Sequence, residues 1–239
     1  MGLSRSIEQR VAIESDIIIG VIDTEIWPES ESFNDEGYGP IPTKWKGECD
    51  GGKDFVCNRY NPEKTEKRSR KIIGARSYIV DSKELSARDT VGHGTHVASV
   101  LVGNQVRHSS YYGLAHGIAR GGVPSARVAI YKVCGPTGCD YTGILRAFDQ
   151  AIADGVDIIS ISLGTDDPLE LTFDPIAIGA FHAIERGILT VNSAGNKGPF
   201  RASINSYAPW IFTVAASDID RKIVNKLRLG KDATLVASS

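Results

Sequence analysis

The chain has 239 residues, 41% of them hydrophobic, which is enough apolar material for one large core or two small ones. Lys+Arg 27 against Asp+Glu 29 gives a formal net charge of -2, without the basic excess by which nucleic-acid binders neutralise phosphate, so no nucleic-acid partner is expected. The purest apolar stretches, such as residues 17–22, fall far short of the roughly 20 residues needed to cross a bilayer, so no membrane span is expected.

At the N-terminus Arg5, Glu8 and Arg10 interrupt any apolar segment of secretory type. Met1-Gly2-Leu3-Ser4-Arg5-Ser6 fits the loose M-G-x-x-x-S pattern for N-myristoylation, which has so few fixed positions that it arises often by chance. Residues 16–22 form the first of several short β-branched runs. The others are 127–133, 156–163, 188–192 and 210–215, each apolar at nearly every position, as in a sheet covered on both faces. Asp23 closes the first run. Taken alone it reads as a turn former or helix cap, although catalytic groups also occupy the carboxyl edge of such sheets.

Between Trp27 and Ala87 the pattern breaks into Gly, Pro, Asn and charged residues, predicting a long loop-rich excursion. Its most polar piece, residues 58–70, carries Arg59, Lys64, Lys67, Arg68 and Arg70 and reads as a solvated loop in preference to a basic docking patch. Then comes Arg88-Asp89-Thr90-Val91-Gly92-His93-Gly94-Thr95-His96, where a histidine between two glycines opens a helix of small residues over 93–102. Glycines there leave room beside the imidazole and permit a tight entry to the helix. His93 and His96 are three apart, without H-x-x-x-H spacing or a following acidic or cysteine ligand, so no metal is expected.

Helices are predicted over 141–153 and 175–186, with Asp154-Gly155 and Gly187 as stops. In the first, Ile144, Leu145, Phe148, Ala151 and Ile152 make one apolar stripe. The run Thr190-Val191-Asn192-Ser193-Ala194-Gly195-Asn196-Lys197-Gly198-Pro199 leads a buried strand into a glycine-flanked Asn196, by itself a turn residue. Strands alternating with helices predict an α/β fold, a mostly parallel sheet flanked by helices. Neither Gly20-Val21-Ile22 nor Gly121-Gly122-Val123 makes a G-x-G-x-x-G turn, so nucleotide binding is set aside and no cofactor is expected. The four cysteines allow three pairings. Absence of C-x-x-C spacing argues against zinc and leaves disulfides and free thiols open.

Asp23 at a strand end, His93 in G-H-G-T-H and Asn196 in S-A-G-N-K-G, in that order, resemble the subtilisin-like serine proteases. The surrounding D-I-I-I-G-V-I-D-T, I-W-P-E-S-E-S-F, I-S-I-S-L-G, D-P-I-A-I-G-A-F-H-A and A-P-W-I-F-T-V-A-A-S extend the resemblance to plant subtilases of the cucumisin-like group over nearly the whole chain. The resemblance implies an incomplete subtilisin-like catalytic domain hydrolysing peptide or protein substrates. Asp23 would be the orienting acid, His93 the general base and Asn196 the oxyanion-hole donor. Ser162-Leu163-Gly164 and Ser193-Ala194-Gly195 match the segments that pair with an extended substrate. It also implies secretion to the extracellular space, and with it the local disulfides Cys49–Cys57 and Cys134–Cys139.

The family places its serine in a G-T-S-M turn after the oxyanion asparagine, and no G-T-S tripeptide occurs here. After Asn196 the hydroxyls are Ser203, Ser206, Thr213, Ser217, Thr234, Ser238 and Ser239, none on a glycine-flanked turn. Residues 1–15 are expected to be a remnant preceding the catalytic domain and 16–239 a truncated peptidase domain, inactive alone. The propeptide, protease-associated domain and C-terminal β-domain of the family are expected to be missing. The alternative is a non-catalytic peptide-binding pseudoprotease or fragment. Glu25 stands where the family has glycine in D-T-G, and would be strained if that position has positive φ.

Overall fold

The computed structural model describes residues 14–57, 70–79, 86–165, 167–220, 224–229 and 233–238. The N-terminal pattern and nearly all of the basic 58–70 segment therefore lie outside the described residues. In chain order the strands are β1 (Ile18–Asp23), β2 (Cys49–Asp50), β3 (Ile72–Ser77), β4 (Val106–Tyr111), β5 (Leu114–Ala119), β6 (Arg127–Lys132), β7 (Cys134–Gly135), β8 (Gly138–Cys139), β9 (Ile158–Ile161), β10 (Leu189–Ser193), β11 (Ile211–Val214), β12 (Val224–Leu229) and β13 (Ala233–Ser238). The helices are α1 (His93–Val102), α2 (Tyr141–Asp154) and α3 (Pro175–Glu185).

Seven strands form one sheet in the order β11-β10-β9-β1-β6-β3-β2, and every pairing in it is parallel. The α/β class read from the sequence is the class observed. β1 lies between β6 and β9, with Ile22 in register with Tyr131 on one side and Ile161 on the other. Alternation along β1 sorts its side chains by face. Ile18 and Ile22 pack with Tyr131, Ile144, Phe148, Ala177 and Ala180, under α2 and α3. Ile19 and Val21 pack with Val128, Ile130, Ala98 and Val102, under α1. Apolar groups on both faces are what made these strands read as unbroken runs.

The helices begin and end for local reasons. Asp140 caps α2 by accepting from Gly143 N at 3.0 Å, and Asp174 caps α3 by accepting from Ile176 N at 2.9 Å, with Pro175 in the first turn. Gly155 ends α2 at φ +81°, in the left-handed region that glycine enters without strain. A Cβ on Gly179 of α3 would lie 2.3 Å from Phe148 of α2, so the missing side chain sets how closely the two helices approach.

One expectation is corrected. The 27–87 excursion is not all loop: β3 adds to β6 and β2 adds to β3, extending the sheet by two strands. β3 reads poorly because Gly74 and Arg76 interrupt its apolar run, and β2 is too short to show a period. The hairpins β4–β5 and β12–β13 were likewise not foreseen. Both are largely exposed, so no buried face imposed an apolar pattern on them. No described helix is long and apolar enough to cross a membrane.

Candidate active site

Asp23 is the last residue of β1 and is fully buried. Its Oδ1 accepts from Thr24 N at 2.6 Å and lies 2.7 Å from His93 Nδ1. A carboxylate oxygen accepts, so Nδ1 carries the proton and Nε2 is left with its lone pair. The His93 side chain is 48% exposed, so the imidazole bridges a dry carboxylate and solvent. Burial pushes the Asp23 carboxyl above its ordinary range, opposed by the hydrogen bonds from His93 and Thr24, and the net direction is upward. Its Oδ2 is buried without a hydrogen-bond partner among the described residues.

His93 is placed by the turn that precedes α1. Gly92 adopts φ +96°, a conformation that turns the chain sharply into the helix. Asp89 fastens that turn, accepting from Val91 N at 2.8 Å and Gly92 N at 2.6 Å through Oδ1, and from Thr95 N and Oγ1 through Oδ2. Burial raises the Asp89 carboxyl, but hydrogen bonds from Thr95, Gly92 and Val91 outweigh it and the net direction is downward. Gly94 N donates to Thr24 Oγ1 at 2.8 Å, tying α1 to the end of β1. A Cβ on Gly94 would lie 2.2 Å from Glu25 O and 3.1 Å from Asp23 Oδ1, so the missing side chain lets base and acid meet.

Glu25 has φ +121° and is fully buried, which answers the sequence expectation about its conformation. Its Oε1 forms an ion pair with Lys132 Nζ. The contact is one of charge and not an aligned hydrogen bond, since among the described residues neither Glu25 carboxylate oxygen has a hydrogen-bond partner.

β1, β9 and β10 are adjacent and parallel, so Asp23, Ser162-Leu163-Gly164 and Ser193-Ala194-Gly195-Asn196 all emerge at one sheet edge. Asn196 is exposed in the loop after β10, and the hydrogen bond of the His93 ring goes to Asp23 and not to it. Leu163 and Gly164 line a small open cleft together with Thr165, Asn192 and Asn205; Ser162, Ser193, Ala194 and Gly195 do not line it. Both main-chain groups of Ala194 are already paired, N to Val214 O at 2.9 Å and O to Asn205 N at 3.1 Å. Asn205 also donates through Nδ2 to Thr165 O, and its amide packs against both Gly164 and Gly195, stitching the two segments together.

The structure joins Cys49 to Cys57 and Cys134 to Cys139. The second bond closes the β7–β8 hairpin, and Cys139 reaches the cleft wall. Among the described residues no group of three or more His, Cys, Asp and Glu could hold a metal ion. Thr24, Asp89, Lys132 and Asn205 escaped the sequence reading. Asp89 alone left a signal there, as an aspartate in a turn just ahead of a helix.

At the carboxyl edge of this parallel sheet, then, a buried carboxylate, Asp23, meets the solvent-facing ring of His93. Residues 14–238 match the subtilase family, and the chain belongs to that family. It is 52% identical over 98% of its length to subtilisin-like protease SBT4.12 of Arabidopsis thaliana, covering 30% of that protein. Identity is 53% to subtilisin-like protease SBT4.4 and 54% to subtilisin-like protease SBT4.10 of the same plant, over 100% of this chain and 31% and 32% of theirs. The chain thus spans about a third of the length of these relatives. A crystal structure of a lanthipeptide protease aligns with TM-score 0.46 and 20% identity, over 79% of this chain and 43% of that one.

Proposed function

We propose that the chain is the acid–base portion of a serine endopeptidase, carrying the groups that orient and move the proton but not the nucleophile. The observation that carries this reading is the 2.7 Å contact between buried Asp23 and the half-exposed His93 ring. In the proposed reaction Asp23 holds the Nδ1–H tautomer and stabilises the imidazolium. Nε2 takes the proton from a serine hydroxyl as its oxygen attacks the peptide carbonyl carbon, then gives it to the departing amine. Asn196, exposed beyond β10, would donate to the oxyanion; one such donor is worth about 10² to 10³ in kcat. The cleft beside Leu163 and Gly164 would take a side chain of an extended peptide lying along this edge.

The serine is the part this reading assigns elsewhere. The sequence has no G-T-S tripeptide, and among the described residues no hydroxyl hydrogen-bonds the His93 ring. Ser203 Oγ donates to Phe200 O at 2.8 Å, and Ser206 is buried against Thr213. The same observation favours a second reading, peptide binding without catalysis along residues 162–164. Residues 16–239 are taken as part of a peptidase domain and 1–15 as what precedes it. The two disulfides support an extracellular location.

A fluorogenic peptide assay on the purified chain tests the proposal, with His93→Ala as the control for contaminating protease. No His93-dependent turnover is expected. Turnover that disappears in His93→Ala and is blocked by a serine-directed phosphonate would overturn it, and Ser203 and Ser206 would be the first hydroxyls to replace.

A further inference from the structure

We infer that Glu25 is a positioning residue of the Asp23–His93 pair: it holds Lys132 in an ion pair of its own, so that the lysine does not become the counter-ion of Asp23 and the imidazole remains that carboxylate's cation-forming partner. The inference rests on the acid–base reading of Asp23 and His93 for its catalytic meaning.

Three observations lead to it. First, Glu25 carries two burdens at once, a positive φ of +121° on a residue with a side chain and a carboxylate with no exposure. Second, Lys132 is the register partner of Asp23 across β1 and β6. Parallel neighbours lie about 4.8 Å apart and paired residues point to the same face, so the lysine starts from the position best suited to neutralise Asp23. Third, it does not do so. Lys132 Nζ contacts Glu25 Oε1 and, at 3.5 Å, Arg88 O. Asp23 bonds Thr24 N and His93 instead and leaves Oδ2 without a partner.

Among the described residues, Arg88 and Asp89, the other charges flanking the pair, are already engaged. Arg88 from the segment before α1 is held by Glu29 at 2.6 Å and by Asp54 at 3.7 Å. Asp89 is occupied by Val91, Gly92 and Thr95. Removing the Glu25 charge therefore leaves Lys132 as a buried cation beside Asp23, and an imidazolium at His93 would face that cation. Removing the Lys132 charge leaves Glu25 as a second anion, which favours the imidazolium. The two changes have opposite signs.

The test is a nitrogen NMR titration of the His93 ring in the purified 239-residue chain, with the signal identified by its loss in His93→Ala. Relative to the unmodified chain, Glu25→Gln is expected to lower the His93 midpoint by about half a unit to one unit, and Lys132→Met to raise it by a similar amount. The double variant Glu25→Gln with Lys132→Met is expected to return close to the starting value. An unchanged midpoint in both single variants, or movement in the same direction as general loosening would produce, overturns the inference. Should Glu25→Gln fail to fold, Glu25→Gly removes the same charge, relieves the positive φ and carries the same expectation. The readout needs no turnover, so this result and that of the peptide assay can fail independently.

Discussion

A single methyl group at Gly94 is expected to part the acid from the base. Its Cβ would meet Glu25 O at 2.2 Å and Glu25 N at 2.7 Å, both backbone atoms that cannot rotate away, so the start of α1 has to lift from the end of β1. Gly94→Ala should therefore cost about 1 to 3 kcal/mol of stability, the range for overpacking a tight site. It should also weaken the low-field proton signal of His93 Nδ1; retention of both stability and signal would show that the contact yields. Asp23 and His93, which the structure brings together, were legible as a pair from the order of their motifs, and His93 and Asn196 also from their glycine neighbours, although among the described residues no hydrogen bond ties Asn196 to the pair. Thr24, Lys132 and Asn205 could not, because each acts on a group far away in sequence, as when Thr24 Oγ1 receives the amide of Gly94. Glu25 was conspicuous as a departure from the family pattern, but its ion pair with Lys132 depends on strand register and on nothing local.

At the scale of elements, Lys71 tethers the start of β3 to the segment entering β6. It is fully buried, and its Nζ donates to Tyr38 OH and Pro124 O at 2.7 Å and to Ala126 O at 2.9 Å. Burial, then the nearby Arg127 charge, pulls its amine down to about 7, against a small opposing effect from Glu14. The unfolded chain keeps that proton up to about 10.5, so between these values the unfolded state binds more protons and folding stability rises with pH. Below about 7 both states are charged and the contribution is flat. Urea midpoints measured across this window should climb in the unmodified chain and climb less in Lys71→Met; equal slopes would contradict the assignment. Asp140→Ala is expected to remove the α2 cap and cost about 1 kcal/mol in the same assay. α2 and α3 were readable because apolar positions coincide with capping and stop residues, and α1, read from the small residues that follow His93, has the predicted bounds. β3 was hidden by Gly74 and Arg76, since its place is set by pairing with β6 and not by its own composition.

For the whole molecule, the described surface leaves much apolar area open. Among the described residues β11 has a sheet neighbour on one side only, and its Phe212 and Val214 are exposed. Tyr111, Tyr112 and Ile118 around the β4–β5 hairpin, and Leu227, Leu235 and Val236 around β12–β13, are exposed as well. Open edges and apolar patches of this kind favour association. The purified chain is expected to bind an apolar fluorescent dye and to scatter light increasingly with concentration. A monodisperse monomer that ignores the dye would contradict this.

On the proposed reading, His93 is a base with no serine to act on within these 239 residues. The most direct measurement is exposure of the folded chain to a fluorophosphonate, which reacts with an activated serine hydroxyl, followed by mass spectrometry of the intact chain and its peptides. The predicted result is an unmodified mass, equal in the unmodified chain and in His93→Ala. A single adduct on one hydroxyl, present in the unmodified chain and absent in His93→Ala, would contradict the account and identify the nucleophile.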